Sequence, residues 1–203
     1  MNKWKIFTIL SSCTLLLSTA TIASASTFSD LREAHRNYTA IQYLSEKNIL
    51  KGYPDGSFQP QRLVGRAEFL KIVLESSRVS LDVEESGNFS DVDENAWYCK
   101  YVKKAKKEGW IQGYSDGTFK PSQPVNKVEG LKMIAVIQKW QTPEVSEAPY
   151  QDVPASAWYT RYVMYAKTKN FIEEAGQVFL PSANLSRAGV SEILFRALIT
   201  SET

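Results

Sequence analysis

A fixed step of 61 residues constrains this chain more than any single motif in it. The stretch Ile49-Leu50-Lys51-Gly52-Tyr53-Pro54-Asp55-Gly56-Ser57-Phe58-Gln59-Pro60 returns as Trp110-Ile111-Gln112-Gly113-Tyr114-Ser115-Asp116-Gly117-Thr118-Phe119-Lys120-Pro121. Gly52 to Gly113, Phe58 to Phe119 and Phe28 to Phe89 all keep that step. A worn third copy runs from Tyr150-Gln151-Asp152-Val153 to Phe179-Leu180-Pro181. Self-similarity at a fixed period makes each copy one structural unit that buries its apolar face against its neighbours. A site built on such a unit recurs, and its copies can be compared.

Each copy follows one grammar. It opens on an aromatic and an acid: Phe28-Ser29-Asp30, Phe89-Ser90-Asp91 and Tyr150-Gln151-Asp152. Ile41 and Leu44, then Tyr101, Val102 and Ala105, then Tyr162, Val163 and Ala166 fall at three- and four-residue spacings that predict a first helix with one buried face. Gly52 and Gly113 stand where a left-handed helix cap is expected. Pro54-Asp55-Gly56 and Ser115-Asp116-Gly117 are turn sequences, with Asp bonding nearby backbone and Gly taking positive φ. The Phe beyond each turn is expected to plug the core. Gly65, Asn126 and Ser186 then serve as N-caps of a second helix. Val73 and Leu74, Met133, Ile134 and Ile137, and Ile193, Leu194 and Leu198 supply its apolar face. Polar linkers near Ser76 to Asn88 and Gln141 to Pro149 separate the copies. The expectation is a mainly α protein with little or no β: three helix-loop-helix lobes about a pseudo-threefold axis, one per repeat, at 26–80, 81–143 and 144–203.

The front end stands outside this pattern. Lys3 and Lys5 precede an apolar stretch from Ile6 to Leu17, and Ala23-Ser24-Ala25 fits a signal-peptidase site. Residues 1–25 therefore read as a secretory signal, too short and too interrupted for a transmembrane span. Reading Leu10-Ser11-Ser12-Cys13 as a lipid-attachment site instead would strand Leu15-Leu16-Leu17 beyond the cut. The chain has 24 basic and 22 acidic residues, and losing Lys3 and Lys5 leaves 22 of each. A formally neutral mature chain argues against nucleic acid as partner. Cys13 leaves with the signal, so Cys99 has no internal partner and reads as a small residue packed beside Trp97 and Tyr98.

The Phe-x-Asp opening, the Trp-Tyr pair, Gly-Tyr-x-Asp-Gly-x-Phe-x-Pro and the Arg-Ala-Glu helix start together resemble the S-layer homology (SLH) family, over essentially the whole mature chain. The resemblance implies a three-lobed spindle that holds secreted proteins on the bacterial surface. It implies binding of cell-wall-linked polysaccharide, often pyruvylated, in grooves between lobes, with no cofactor and no catalysis. The opening Asp role falls on Asp30, Asp91 and Asp152, and the Trp role on Trp97 and Trp158. The loop Gly role falls on Gly52 and Gly113, and the helix-start cation on Arg66, Lys127 and Arg187. A carboxylate-bearing sugar suits a forked Arg donor beside a helix N-terminus with free N–H groups. An aromatic face covers the apolar side of a sugar ring.

No copy has every element. The first has His35-Arg36-Asn37-Tyr38 where the others have Ala-Trp-Tyr, the second has Lys127, and the third replaces the loop by Glu173-Glu174-Ala175-Gly176-Gln177 and puts Gly189 where Glu68 and Glu129 stand. One or two working grooves are expected, not three. Plainer roles compete: capping of the following turn for the three Asp, core positions for the two Trp, capping boxes for Glu68 and Glu129, and inter-lobe ion pairs for Arg66 and Arg187. His35 carries no assigned role. Asp30 with Glu68 is the best carboxylate pair for glycosidase chemistry, and only turn and cap positions support it. Asp91-Val92-Asp93-Glu94-Asn95 begins like a calcium loop but has Ala96 at position six and Val102 at position twelve, so it fails. The alternative function is protein–protein assembly as a subunit of a surface layer. No passenger domain follows the third copy, so the whole mature chain reads as anchor.

Overall fold

A computed structural model describes residues 28–82, 87–172 and 176–201. The signal assigned to residues 1–25 and the divergent Glu173-Glu174-Ala175 lie outside them. The described residues form six helices: α1 (Tyr38–Glu46), α2 (Arg66–Ser76), α3 (Cys99–Lys107), α4 (Lys127–Ile137), α5 (Thr160–Thr168) and α6 (Arg187–Ser201). Extended pairing among them is confined to three isolated bridges, Leu63 with Ser186, Gly65 with Pro124 and Asn126 with Asn184. The fold is mainly helical, as the repeat grammar requires.

Those bridges form the threefold centre. Val64 N–H donates to Leu185 O (3.0 Å), Leu185 N–H to Val125 O (2.9 Å) and Val125 N–H to Val64 O (3.0 Å), which closes a ring of three. All three side chains are buried. An extended residue immediately before each second helix is thus the hub. A lone bridge of this kind has little stability; three in a closed cycle leave no edge unpaired.

The helices pair across repeats. α3 packs on α2, α5 on α4, and α1 returns to pack on α6, while α2 also touches α4 and α6. A lobe is therefore not one repeat's own helix-loop-helix, the arrangement expected from the sequence: each joins the second helix of one repeat to the first helix of the next, and the last joins α6 to α1. Asn37 Nδ2 donates to Glu192 Oε2 at 2.9 Å and Tyr43 meets Phe195 edge-on at 5.1 Å across that closing seam. The apolar faces read from sequence are the buried ones: Ile41, Leu44, Val102, Ala105, Val163 and Ala166 on the first helices, with Val73, Ile134 and Leu194 on the second. Phe58, Phe119 and Phe179 do plug the core, each against its opening aromatic at 5.1, 5.6 and 5.4 Å between ring centroids.

The helix ends correct one expectation. Gly52 and Gly113 are not left-handed; that conformation falls earlier, at Asn48 (φ 59°), Gly109 (φ 70°) and Asn170 (φ 58°). At the first helix, Ile49 N–H bonds Leu44 O and Asn48 N–H bonds Ser45 O, a Schellman ending. Gly52 is needed for a different reason: a Cβ there would stand 2.5 Å from Phe28 Cε1 and 2.8 Å from Ser57 O, and Gly113 is hemmed in likewise by Phe89 and Thr118. Gly56 and Gly117 do take positive φ in their turns, at 80° and 77°.

Candidate functional site

The opening acids organise the loops. Asp30 accepts from Phe58 N–H (2.7 Å) and Gln59 N–H (2.8 Å), Asp91 from Phe119 and Lys120 (2.7 and 2.8 Å), and Asp152 from Phe179 and Leu180 (2.8 and 2.7 Å). Each carboxylate thus caps the loop 27 to 29 residues further on, not the turn that follows it. The second acceptor in each case holds a residue in the left-handed region: Gln59, Lys120 and Leu180 lie at φ 57°, 57° and 60°. Such a conformation costs a non-glycine residue about 1–2 kcal/mol, and the charge-assisted bond its N–H donates to the acid offsets it. Burial pushes the Asp152 carboxyl up, but the Phe179 and Leu180 N–H groups with nearby Lys127 outweigh that and hold it below its ordinary value.

The helix-start cations belong to the frame between repeats. Arg66 Nε donates to Phe119 O (2.9 Å), Lys127 Nζ to Phe179 O (2.7 Å) and Arg187 Nε to Phe58 O (2.8 Å), so each cation holds the loop of the next repeat in the cycle. Arg187 also gives Nη1 to Glu68 (2.6 Å) and Nη2 to Lys51 O (2.8 Å), and lies over Phe58 and Tyr53. Arg66 lies over Tyr114 and Phe119, with Nη1 3.8 Å from Glu129. Both arginines are buried, at 6% and 4% exposure. Burial lowers the Lys127 ammonium from its ordinary value, and the Asp152 charge opposes this.

The helix N-termini are occupied rather than free. Arg66 and Ala67 N–H bond Gln123 and Pro121 carbonyls, Lys127 and Val128 bond Ala183 and Pro181, and Arg187 and Ala188 bond Arg62 and Pro60. The free N–H groups expected there for a ligand hold the next repeat's backbone instead. Asn126 and Glu129 do complete a capping box. Glu68 does not: its cap is Gly65, without a side chain, and its carboxylate pairs with Arg62 (2.7 Å) and Arg187.

The tryptophans overturn the core alternative. Trp97 and Trp158 are 57% and 54% exposed, not core. Their neighbours Tyr98 and Tyr159 turn inward and are only partly buried, and each indole meets its Tyr edge-on at 5.3 Å. Each indole so placed stands at the entrance of a lobe seam, Trp97 where α2 meets α3 and Trp158 where α4 meets α5. A cleft of about 240 Å³ opens at the α4–α5 seam, lined by Trp158, Arg66, Gly113, Tyr114, Glu129 and Lys132. The lining comes from all three repeats. At the closing seam a cleft of about 370 Å³ is lined by Arg36, Lys127, Phe171, Gly189 and Glu192.

All three copies in this cyclic frame are matched by the same family. The family described as S-layer homology domain matches residues 27–70, 88–129 and 149–188, well over half of the chain. The chain belongs to that family. A cellulosome-anchoring protein of Acetivibrio thermocellus is 30% identical over 162 residues, 76% of this chain and 36% of that protein. The S-layer protein sap of Bacillus anthracis is 27% identical over 139 residues, 67% of this chain and 17% of its own length. An amylopullulanase of Thermoanaerobacterium thermosulfurigenes is 26% identical over 179 residues, 85% of this chain and 9% of that enzyme. The chain thus spans about a third or less of these relatives, whose SLH matches sit in much longer proteins.

Several neighbouring residues find plain roles within the SLH frame. Cys99 is buried, burial raises its thiol, and Asn88 and Glu94 adjoin its sulfur at 3.5 and 3.7 Å. Glu94, from the failed calcium loop, pairs with Lys103. Sequence reasoning missed Lys71 and Lys132, whose ammonium groups lie 5.7 and 5.4 Å from the ring centres of Trp97 and Trp158. Their shared step of 61 residues, five positions after the helix-start cation, was the signal available. No helix among the described residues is long and apolar enough to cross a membrane.

Proposed function

We propose that this chain is a non-catalytic module that, once exported, attaches to the bacterial cell surface by binding cell-wall-linked, pyruvylated polysaccharide at its lobe seams. The observation that carries the reading is the pair of half-exposed indoles at symmetric positions, Trp97 and Trp158. An indole left in water at the entrance of a cleft is a platform for the apolar face of a sugar ring. The α4–α5 cleft adds hydrogen-bonding groups and both signs of charge around it. The anchoring and S-layer relatives point the same way. In this reading Asp30, Asp91, Asp152, Gly52, Gly113 and Arg187 act by shaping the seams, while Trp97 and Trp158 touch ligand, with Arg66 lining the cleft beside Trp158 and Lys127 lining the closing-seam cleft, which has no indole. The repeats at 26–80, 81–143 and 144–203 act as one unit.

The test is sedimentation of the protein with purified cell walls, before and after their secondary polysaccharide is stripped. Saturable binding that is lost on stripping and weakened by Trp97→Ala and Trp158→Ala supports anchoring. These variants are preferable to substitutions of Arg66 or Arg187, which would also loosen the frame. A folded protein that binds neither wall preparation contradicts the reading. Assembly with another surface protein is the second reading. It is favoured by Val178 and Leu180, apolar and 48% and 57% exposed where the earlier copies carry Ser57 and Gln59 or Thr118 and Lys120.

A further inference from the structure

The three seams can be compared position by position, because the helices that form them are copies. At the α2–α3 seam Lys71 stands over Trp97, and at the α4–α5 seam Lys132 stands over Trp158. At the α6–α1 seam the lysine position is Glu192 and the tryptophan position is Arg36. Glu192 is engaged with Asn37 (2.9 Å) and Arg196 (2.6 Å). Cation and aromatic therefore travel together, and where one is lost the other is lost too. Packing alone does not explain the association, since both indoles are more than half exposed. An exposed cation–π contact is itself weak.

Charge availability points to the same lysines. Arg187, which the motif would make the ligand's fork, has Nε, Nη1 and Nη2 all bonded within the frame. Arg66 has Nε committed and is 6% exposed. Lys132 lines the cleft and makes no ion pair among the described residues. Lys71 has Glu75 at 4.0 Å, four residues on, where the second repeat has Val136. An anion arriving at Trp97 would compete with that carboxylate; one arriving at Trp158 would not.

We propose that Lys71 and Lys132 are the specificity residues for an acidic sugar. Each ammonium pairs with the sugar's carboxylate while the ring lies on the adjacent indole, the α4–α5 seam binds more tightly, and the α6–α1 seam does not take that sugar. This rests on the glycan reading above and names its selectivity determinant. A sugar stacked on Trp158 places a ring substituent within reach of the Lys132 ammonium, since the two groups are already 5.4 Å apart. A neutral sugar would leave that ammonium unpaired and lose the charge-assisted bond.

The test is calorimetric titration of the full mature protein with purified wall polysaccharide, intact and after removal of its pyruvyl groups. The unmodified protein is expected to prefer the intact form. Lys132→Gln should weaken binding of the intact form about tenfold and erase most of that preference, Lys132→Arg should retain both, and Lys71→Gln should have a smaller effect. Equal binding of both forms by the unmodified protein overturns the inference while leaving glycan anchoring in place. So does a Lys132→Gln variant that keeps its preference, or that loses both forms equally. Binding of neither form by the unmodified protein overturns the inference together with the reading on which it rests. All these lysines are partly solvated, and matching thermal melts are expected across the variants.

Discussion

At the residue scale, the motif positions divide into those that build the frame and those that face outward. Gly113 belongs to the frame: any Cβ there collides with the Phe89 ring and the Thr118 carbonyl. Gly113→Ala should lower stability by about 1–3 kcal/mol by overpacking, measured by urea denaturation, and Gly52→Ala should do the same. The Asp152 carboxyl is held below its ordinary value of 3.8. A group whose folded-state value is lowered stabilises the fold fully above its unfolded value, and that share is lost as pH falls through the folded one. Melting temperature should therefore fall as pH is taken below about 3.8, and Asp152→Asn should flatten part of that fall. The sequence made the loop acids legible as caps, but not what they cap, because a contact across 28 residues leaves no local trace. The indoles were misread for a similar reason: a Trp before an apolar helix looks like core, and only the inward turn of the next Tyr leaves it outside.

At the scale of elements, the decisive feature is that helices pair between repeats. A helix-loop-helix repeat on paper suggests an intramolecular hairpin, and the 3.6-residue periodicity is the same whichever partner covers the face. The periodicity therefore gave the buried residues correctly and was silent about their partners. Arg187 shows the consequence. It starts α6 in the third repeat, yet its bonds go to Phe58, Lys51 and Glu68 in the first. Arg187→Ala should destabilise by about 3 kcal/mol, because it removes a buried fork and leaves two carbonyls and part of a carboxylate unpaired. Chemical denaturation measures it. A cost under about 1 kcal/mol would mean the inter-repeat frame is held elsewhere.

At the scale of the whole molecule, closure makes the three copies interdependent. α1 has its partner in α6, at the other end of the sequence, and the central cycle needs Val64, Val125 and Leu185 together. Unlike an open solenoid, whose terminal units can fray, a closed ring loses a partner at both cut ends. A chain of residues 26–143 should therefore fail to give a cooperative thermal transition by circular dichroism, whereas one of residues 26–203 should give one. Independent melting of the shortened chain would contradict closure. The threefold repeat was legible at once from the 61-residue step; the inequivalence of the seams came from substitutions such as Arg36 and Glu192 whose meaning depends on which helices meet.

On the reading proposed above, binding of a wall sugar rests on the exposed indoles of two of the three seams. Its most direct test is nuclear magnetic resonance of the indole N–H groups during titration with wall polysaccharide. Trp97 and Trp158 should shift, Trp158 at lower ligand concentration, while Trp140, stacked on Tyr165 at 5.0 Å, stays in place. Binding that leaves both Trp97 and Trp158 unmoved would contradict the account.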